Sequence, residues 1–509
     1  MSFARTHSCV TVAVDGYPIE VETHVSAGLV GMNVTGLADT AINESRERVR
    51  AALMTIGHEW PQKRITVGLS PAWLPKHGSG LDVAIAIGIF AAEKTVSPEV
   101  IAQTMFYGEL GLDGRVRGVA GTLIAAMTAR KMGLKSIVVA SSMVSQARLV
   151  EGITVIGVRT LTDAIAVAQG QLIDDFDDIE EFTWQDSAEE ALDYAQVIGQ
   201  QQAKRGLEVA AAGAHNIAFV GSPGVGKTLL AQRLPSILPP LDRDSALEVA
   251  AISSVSRGGV MSLSQQPPFA APHHTASYTS MIGGGSGVPV IGLVTQAHRG
   301  VLFLDEAPEF ASNVLEALRQ PLESGEVHLT RKSFSISMPA RFQLVLAMNP
   351  CPCGMKLEKS SGCGCTPFAM KKYALKMSGP LMDRVDIRLE LEKPRLLDFD
   401  GLGSPAESSA DMRERVVEAR SRQSRRLVGT PWRTNAEVPG SALRELFPLA
   451  RDAHAALMAQ LVSSTASGRA VDRVTRVMWT LSDLAGRSTP AEEDAVVAAS
   501  LRGITGVFA

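Results

Sequence analysis

The sequence has few aromatic residues, few cysteines and no long apolar run. Aromatic residues make up 5% of the 509 residues, whereas hydrophobic residues make up 45%. This hydrophobic content is enough for several cores and excludes a largely disordered chain. The length favours about three domains. The best candidate for a membrane helix, residues 83–92, covers only about half of a bilayer and predicts a buried helix instead.

The N-terminal residues lack the continuous apolar segment of a signal peptide. We therefore expect a cytoplasmic protein without membrane contacts. Five cysteines do not make a disulfide framework in a chain of this length, and four of them lie between 351 and 365. This clustering indicates metal binding or local thiol chemistry.

One stretch of the chain lacks positively charged residues, and this stretch makes the net charge of the whole chain negative. The formal net charge is −4, which by itself argues against binding to nucleic acid. Residues 171–193 contain ten Asp and Glu and no Lys or Arg, so the rest of the chain carries a net charge of +6. Such a block of like charge resists packing. It predicts an acidic linker over 171–194.

The linker and a Gly-, Ser- and Pro-rich segment at 400–411 divide the chain into three predicted domains. In residues 1–170, β-branched runs alternate with helical patterns, which indicates an α/β or α+β domain. Residues 195–400 alternate strands with helices and predict a parallel sheet. Residues 401–509 have helical patterns almost throughout.

The middle domain contains a phosphate-binding loop. The apolar strand 217–220 precedes GSPGVGKT and a helical pattern follows, which is the context that G-x-x-x-x-G-K-[ST] requires. Glycines let backbone N–H groups surround phosphate oxygens, while Lys227 reaches the β- and γ-phosphates and Thr228 coordinates Mg²⁺. The predicted ligands are ATP and Mg²⁺, and the predicted binding residues are Gly221, Ser222, Pro223, Gly224, Val225, Gly226, Lys227 and Thr228.

Two further apolar strands end in polar residues. Strand 301–304 ends in Asp305 and Glu306, and ligands bind at the carboxyl ends of parallel strands. We expect Asp305 to hold Mg²⁺ and Glu306 to orient and polarise the attacking water. The alternative is that this pair only caps the next helix. Strand 342–349 ends in Asn349, which predicts either a contact with the γ-phosphate or water, or a turn before Pro350.

Six segments carry a resemblance to a known family: GSPGVGKT, APHHTAS (271–277), MIGGGSG (281–287), AHRGVLFLDE (297–306), AMNPCPCG (347–354) and SGPLMDRVD (378–386). In this order they resemble the magnesium-chelatase-like AAA+ ATPases, most closely the ComM/YifB subgroup, over essentially the whole chain. The resemblance implies an α/β AAA+ core with a parallel sheet, a C-terminal helical lid and an N-terminal α+β domain similar to the Lon protease domain.

The resemblance also implies roles for residues outside the phosphate loop. Asn349 matches the sensor-1 residue, and Arg384 matches the arginine finger that is offered to the ATP of a neighbouring subunit. The alternative for Arg384 is a surface arginine paired with Asp383 or Asp386. Arg469 matches the sensor-2 arginine, with Arg473 and Arg476 as competing choices on the same helix. A finger supplied in trans implies a ring, and the family implies a hexamer.

Residues 326–338 have the alternation of a β-hairpin and resemble the hairpin that AAA+ DNA motors place in the ring pore. Arg331 and Lys332 would then contact the phosphate backbone of DNA. The alternative is an ordinary solvated hairpin. GGGSGVPV (283–290) resembles a second pore-facing insert. The family usually has an arginine just before its PHHT motif, where this chain has Ala270, so the function of that arginine is in doubt here.

A second basic candidate is the helical stretch 412–433, which holds seven arginines against two glutamates. Its basic face predicts either a nucleic-acid contact or a lid helix with internal ion pairs. Both interpretations remain open from the sequence.

The four clustered cysteines have the spacing C-x-C-x₉-C-x-C, formed by Cys351, Cys353, Cys363 and Cys365. Four thiolates in two close pairs match tetrahedral Zn²⁺, so we predict a structural zinc site. The alternative is four reduced thiols in a Gly- and Pro-rich loop.

The N-terminal domain resembles the Lon protease domain without its chemistry. The segments 75–90 and 108–140 carry the resemblance, but Gly80 stands at the position of the nucleophilic serine, with Ser79 one place away. The position of the lysine base falls near Leu123. A serine without a positioned base is a poor nucleophile. We therefore expect a catalytically inactive domain.

These observations predict an ATP-hydrolysing ring motor that acts on single-stranded or branched DNA. The resemblance implies a branch-migration helicase or translocase that promotes integration of DNA in natural transformation or recombination. One alternative is the motor subunit of a metal-chelatase-like complex that remodels a protein partner. A second is an ATP-gated scaffold without turnover, although the intact Glu306, Asn349 and Arg384 argue against it.

Overall fold

The computed structural model describes most of the chain as three groups of helices and strands. The predicted DNA contacts Arg331 and Lys332 lie outside the described residues, as do residues 174–191 of the predicted linker and residues 286–289 of the predicted insert. The described residues are 2–37, 40–173, 192–257, 262–285, 290–330, 335–357, 362–393, 407–461 and 468–503.

The N-terminal domain combines a mixed sheet with helices. Its strands are β1 (Ser2–Val12), β2 (Asp15–Ser26), β3 (Gly31–Thr35), β4 (Arg64–Ser70), β5 (Thr104–Tyr107), β6 (Glu109–Leu110), β7 (Val116–Arg117), β8 (Ser136–Ala140) and β9 (Thr154–Val158). Its helices are α1 (Thr40–Thr55), α2 (Asp82–Ala92), α3 (Pro98–Ala102), α4 (Thr122–Lys131), α5 (Val144–Arg148) and α6 (Leu161–Ala168).

The seven-stranded sheet of this domain has the order β3-β4-β2-β1-β5-β8-β9. Strands β1 and β2 pair antiparallel over their whole length, whereas β1, β5, β8 and β9 pair in parallel. Helix α2 is buried at every residue except Ala91, which confirms the buried helix predicted for residues 83–92. The charge of Asp82 on this helix is compensated by Arg48, whose Nε donates to Oδ2 at 2.7 Å.

The residues predicted to stand at the positions of the protease nucleophile and base have other partners. A Cβ at Gly80 would lie 2.6 Å from the ring of Tyr107, so that ring occupies the space of a larger side chain. The hydroxyl of Ser79 donates to Glu109. Leu123 is fully buried and offers no amine. The expected absence of protease chemistry stays a prediction, and this geometry supports it.

The middle domain contains the strands β10 (Ile217–Gly221), β11 (Phe269–Ala270), β12 (Gly283–Gly284), β13 (Val290–Ile291), β14 (Val301–Leu304), β15 (Glu326–Thr330), β16 (Ser335–Pro339), β17 (Gln343–Met348) and β18 (Ile387–Leu391). Its helices are α7 (Gln201–Gly213), α8 (Lys227–Gln232), α9 (Leu234–Ile237), α10 (Arg243–Arg257), α11 (Tyr278–Ile282), α12 (Leu293–Gln296), α13 (Ser312–Ala317), α14 (Arg319–Ser324), α15 (Pro367–Ala374) and α16 (Gly379–Met382).

The five-stranded sheet of the middle domain is parallel throughout, in the order β11-β14-β17-β10-β18. Every residue of β10, β14 and β17 is buried. Parallel strands covered on both faces have such continuous apolar runs, so the predicted parallel sheet and its three apolar strands are confirmed. Strands β15 and β16 form the expected hairpin, paired from Glu326↔Pro339 to Thr330↔Ser335.

The C-terminal region is helical, as predicted, with α17 (Ser409–Arg426), α18 (Gly440–Leu446), α19 (Arg451–Leu461), α20 (Gly468–Leu484) and α21 (Glu492–Leu501). Buried His215, just before β10, connects this lid to the sheet. Its Nδ1 lies 3.0 Å from Oδ2 of Asp386, and its Nε2 lies 2.7 Å from Oγ1 of Thr480 on α20. Polar groups buried in this way hold the lid in one orientation on the core.

Four of the seven arginines in 412–433 bond inside the protein, which favours the ion-paired lid helix over a free basic face. The bonds are Arg415 to Glu208 at 2.5 Å, Arg420 to the carbonyl of Ala211 at 2.7 Å, Arg422 to the carbonyl of Asp483 at 2.7 Å, and Arg426 to both carboxylate oxygens of Asp483 at 2.5 and 2.7 Å.

The predicted linker extends too far towards the middle domain. Tyr194 is fully buried in the core of that domain, and its hydroxyl donates to the carbonyl of Leu230 at 2.8 Å. The carboxylate of Asp193 accepts from the backbone N–H of Ser409 at 3.0 Å. The sequence did not predict the packing of these two residues, because Asp193 belongs to the acidic stretch 171–193 and Tyr194 directly follows it.

The N-terminal domain packs directly on the middle domain through α10. Ala246, Leu247, Ala250 and Ala251 of α10 belong to the same apolar cluster as the buried face of α4. At one end of α10, Arg243 donates to the carbonyl of Leu149 at 3.1 Å. In the parts of the chain that the structure describes, no helix is long and apolar enough to cross a membrane.

Candidate nucleotide-binding site

Strand β10 leads into the predicted phosphate loop, whose glycines are needed for the fold of the loop itself. Gly224 has φ 80° and Gly226 has φ 93°, in the region that side chains with a Cβ avoid. At Gly221 the constraint is steric, because a Cβ would lie 2.8 Å from the side chain of Val225. The loop therefore takes the tight conformation that the motif predicts.

Lys227 begins α8 and directs its ammonium towards oxygen atoms. Its Nζ donates to the carbonyl of Gly221 at 2.6 Å, to the carbonyl of Ser222 at 3.0 Å and to Oδ1 of Asn349 at 3.0 Å. Burial lowers the pKa of Lys227, while the nearby carboxylates of Asp305 and Glu306 act in the opposite direction. Lys227, which follows β10 through the phosphate loop, and Asn349, which directly follows β17, thus meet at one point.

Thr228 and Asp305 are the residues that would hold Mg²⁺. The hydroxyl of Thr228 donates to Oδ2 of Asp305 at 2.6 Å, so a hydroxyl and a carboxylate face each other beside Lys227. Oxygen ligands of this kind are those that Mg²⁺ prefers. The donor set of the site therefore fits a magnesium–nucleotide complex.

Glu306 follows Asp305 in the left-handed conformation, with φ 49°. Its backbone N–H donates to Oδ1 of Asp305 at 2.9 Å, and its side chain is about half exposed. The carboxylate contacts a histidine of another segment, because its Oε2 lies 3.3 Å from Nδ1 of His274.

The predicted arginine finger lies at the amino-terminal end of the parallel strands, opposite the end that carries the phosphate loop. Arg384 comes just before β18, which runs parallel to β10, and its carbonyl accepts from Asn216 just before β10. The phosphate loop follows the carboxyl end of β10, so the five-residue strand separates the two by roughly 16 Å. Arg384 is therefore remote from the phosphate loop of its own chain.

Arg384 pairs with Glu323, and not with Asp383 or Asp386 as the alternative interpretation expected. Its Nη1 donates to the carbonyl of Pro380 at 2.5 Å, and the side chain is 15% exposed. Burial lowers the pKa of Arg384, and the positive charges of Arg319 and Arg469 lower it further. These three arginines are called the arginine cluster below.

The lid supplies one exposed member of the arginine cluster. Arg469 is 77% exposed, with Nη1 3.7 Å from Oδ2 of Asp383. Of the competing choices, Arg473 is buried beside Asp386, and Arg476 donates to the carbonyl of Val438 at 2.7 Å. The geometry therefore favours Arg469 as the lid arginine that is able to contact a ligand or another subunit.

The four clustered cysteines converge in a segment that packs beside the phosphate loop. Their sulfur atoms all lie within 4.8 Å of one another, and Cys351 Sγ is 3.4 Å from Cys353 Sγ and 3.7 Å from Cys363 Sγ. Tetrahedral zinc with bonds of about 2.3 Å needs sulfur separations of about 3.8 Å. The cluster, completed by Cys365, therefore fits a Zn²⁺ ion.

The cysteine loop also supports the nucleotide site. A Cβ at Gly354 would lie 2.6 Å from the ring of Pro223 in the phosphate loop. The loop and the cysteine segment are thus packed without space between them, and an ion that fixes the cysteines would also fix the position of Pro223.

Three partners of the site residues were not predicted from the sequence: Glu323 for Arg384, Gly354 for Pro223, and His274 for Glu306. The first and third are ordinary polar residues far from their partners along the chain. No spacing rule connects them, although the PHHT segment itself is a recognisable signal.

A parallel sheet with this loop, acidic strand end and polar third strand defines a P-loop ATPase of the AAA+ type. Family models described as magnesium chelatase subunit ChlI, subunit ChlI of Mg-chelatase, and magnesium chelatase subunit ChlI C-terminal match residues 193–397, 21–143 and 406–502. The chain belongs to this magnesium-chelatase-like family, in which it groups with the YifB and ComM proteins.

Three relatives show how far the similarity extends. An uncharacterised protein of Mycobacterium tuberculosis is 44% identical over 505 residues, covering 99% of both chains. The uncharacterised protein YifB of Escherichia coli is 40% identical over 95% of this chain and 94% of its own. The competence protein ComM of Haemophilus influenzae is 37% identical over 96% of this chain and 94% of its own.

Two substitutions separate nucleotide binding from turnover. Lys227→Ala removes a charged donor and is expected to weaken ATP binding by about ten- to hundredfold. Glu306→Gln keeps the size of the side chain and should leave ATP binding intact while lowering kcat by about 10²- to 10⁴-fold. Binding of a fluorescent ATP analogue and phosphate release measure the two effects. Turnover that survives Glu306→Gln would show that another group polarises the water.

Purified protein is expected to contain about one equivalent of zinc per chain. Cys353→Ser and Cys363→Ser each remove one of four thiolates, so the zinc content should fall and the melting temperature should drop with it. Metal analysis and thermal unfolding measure both quantities. Cys9→Ala is the matched control, because Cys9 is buried in the N-terminal domain outside the cluster. Wild-type protein with much less than one equivalent would contradict the zinc site.

Proposed function

We propose that the chain is the subunit of a ring-shaped ATPase motor that acts on DNA and promotes strand exchange or branch migration. The observation that carries the ring is the separation of Arg384 from the phosphate loop of its own chain. An arginine finger at the opposite end of the strands serves an ATP molecule only if that ATP is bound by a neighbouring subunit. The family resemblance favours six subunits.

In this proposal, two adjacent subunits each contribute residues to the hydrolysis of one ATP. Bound Mg–ATP supplies the phosphoryl group and a charge that attracts Lys227. Glu306 orients the attacking water and accepts its proton, while Asn349 holds the position of Lys227. Arg384 of the adjacent subunit stabilises the charge that develops on the transferred group, supported by Arg469.

A surface cleft beside Arg384 supports this arrangement. It has a volume of about 340 Å³ and is lined by residues that include Tyr278, Glu316, Arg319, Glu323 and Arg384. Its carboxylates pair with its arginines, since Arg319 donates to Glu316 at 2.7 Å. An incoming triphosphate competes for these arginines, so the cleft provides cationic groups that a neighbour's nucleotide is able to recruit.

The proposed DNA partner is supported by three features. Outside the acidic stretch the chain carries a net charge of +6. Arg331 and Lys332 fall in the sequence between the paired strands β15 and β16, outside the described residues. A relative that is 37% identical over 96% of this chain is named competence protein ComM, which agrees with the role in natural transformation that the resemblance implies. Such a motor would work in the cytoplasm.

A second candidate is the motor subunit of a metal-chelatase-like complex. It is favoured by the descriptions of the three matching family models, all of which refer to a magnesium chelatase subunit. This function needs a protein partner and not DNA, so the response of ATP hydrolysis to DNA separates the two candidates.

DNA is expected to stimulate ATP hydrolysis by the wild type. Single-stranded, forked and four-way DNA are compared at low salt, because contacts with the phosphate backbone weaken steeply as salt rises. Displacement of a labelled strand from the forked substrate should depend on ATP and disappear in Lys227→Ala. No stimulation and no retention of DNA at low salt would exclude the DNA motor and favour the chelatase-like candidate.

A mixing experiment tests the finger in trans. Lys227→Ala and Arg384→Ala should each lower kcat by about 10³-fold or more when assayed alone. In a mixed ring, a Lys227→Ala subunit supplies an intact finger to a neighbour with an intact phosphate loop, so the mixture should regain part of the activity. The matched control is Arg444→Ala, an exposed lid arginine paired with Asp472. A mixture as inactive as its components would contradict a finger supplied by a neighbour.

A further inference from the structure

Helix α15 exposes two large apolar side chains and two lysines on one face. Phe368 is 78% exposed, and Leu375, which directly follows the helix, is 71% exposed. Lys371 and Lys372 lie between them and are also exposed, and within the described residues neither lysine forms an ion pair. At about 100° per residue, the four positions fall in one stripe of roughly 100°. These four side chains are called the α15 face below.

The α15 face lies beside the nucleotide site of its own chain. At the start of α15, the hydroxyl of Thr366, next to Cys365, accepts from a backbone N–H of the first turn at 3.2 Å. After the helix, Nζ of Lys376 lies 2.9 Å from Oε2 of Glu309, in the turn that follows Glu306. The helix is therefore attached at one end to the cysteine cluster and at the other to the segment that carries the catalytic carboxylate.

The surface cleft beside Arg384, called the finger cleft below, has apolar groups in its lining. They include Ile282 and Val327, which are buried, and Tyr278, which is half-exposed. In the proposed ring, Arg384 reaches a nucleotide of the adjacent subunit, so the finger cleft has to lie against the surface around that nucleotide. The α15 face belongs to this surface. The apolar lining offers cover for its two large apolar side chains.

The charges of the finger cleft balance while its arginines stay inside it. Glu323 pairs with Arg384 through Oε1. Glu316 pairs with Arg319 through Oε2 at 2.7 Å. When a nucleotide recruits the two arginines, both carboxylates lose their cations. Carboxylates left unpaired in an interface cost free energy, so the surface that docks there has to supply positive charge. The α15 face supplies two lysines.

We propose that the α15 face of one subunit docks on the finger cleft of a second copy of the chain, the copy that offers Arg384. This interface rests on the proposed ring motor and names the surface through which its subunits meet. Lys371 and Lys372 pair with the cleft carboxylates in place of the two arginines, which turn to the bound nucleotide. Phe368 and Leu375 are covered by the apolar lining. ATP binding and docking therefore favour each other, because docking supplies the cations that replace the recruited arginines.

A photo-crosslink tests which surface covers the α15 face. In the full-length Glu306→Gln chain, which is expected to keep bound ATP, Phe368 is replaced by photoreactive p-benzoylphenylalanine. After irradiation with ATP, mass spectrometry is expected to find adducts between this position and a peptide that lines the finger cleft. Subunits with and without ¹⁵N label are mixed, so that adducts between two chains are separated from adducts within one chain. The same amino acid in place of Trp73, an exposed aromatic residue of the N-terminal domain, is the matched control and should not mark the cleft.

Reversal of the two lysine charges tests the pairing with the cleft carboxylates. Lys371→Glu combined with Lys372→Glu is expected to raise the protein concentration needed for assembly with ATP by about tenfold or more, because like charges then face each other. Lys63→Glu combined with Lys135→Glu reverses two exposed lysines of the N-terminal domain and should assemble like the parent chain. Analytical ultracentrifugation measures assembly, and thermal unfolding shows that the variants are folded.

The possible results separate this interface from the proposed DNA motor. The docking would be overturned by adducts only at other segments, by adducts with added single-stranded DNA in place of the cleft, or by the absence of any adduct with a second copy. A charge reversal without effect on assembly would also overturn it. Cleft adducts together with ATP hydrolysis that does not respond to DNA would support the docking and contradict only the DNA motor.

Discussion

The parallel pairing of β14, β17 and β10 is the constraint on which the ATPase site depends. Val220 pairs with Met348, and Leu304 pairs with Leu346, so the three strands end at nearly the same level. The residues that follow these strands therefore meet at one end of the sheet. A shift of one residue in this register would reverse the face of every side chain on the strand and separate Lys227 from Asn349.

Much of this site was predictable because it belongs to local patterns. A buried apolar run followed by the glycine-rich loop predicts a strand, a turn and the position of Lys227, and the other two apolar runs predict their polar ends. Glu323 and His274 were not predictable in the same way, because their contacts depend on how separate segments pack. The burial of Tyr194 was not predicted, because this residue directly follows an acidic stretch whose composition predicts a solvated linker.

The roles of the arginines are distinguishable only once the partners of their side chains are known. From the sequence, the arginines of 412–433 and those near Arg384 look alike. In the structure Arg415 pairs with buried Glu208 on α7 of the core, and Arg426 pairs with buried Asp483 inside the lid, whereas Arg469 stays exposed beside Arg384. A guanidinium without a full complement of acceptors in its own chain is the kind that is available to another subunit. Composition alone does not distinguish these two classes of arginine.

Helix α10 packs against the N-terminal domain. The acidic stretch therefore does not keep the N-terminal domain and the core apart. Removing residues 1–170 would uncover the apolar face formed by Ala246, Leu247, Ala250 and Ala251 on the ATPase core. An isolated core would then expose an apolar surface and tend to aggregate. In the proposed motor, the N-terminal domain would therefore move together with the core to which α10 attaches it.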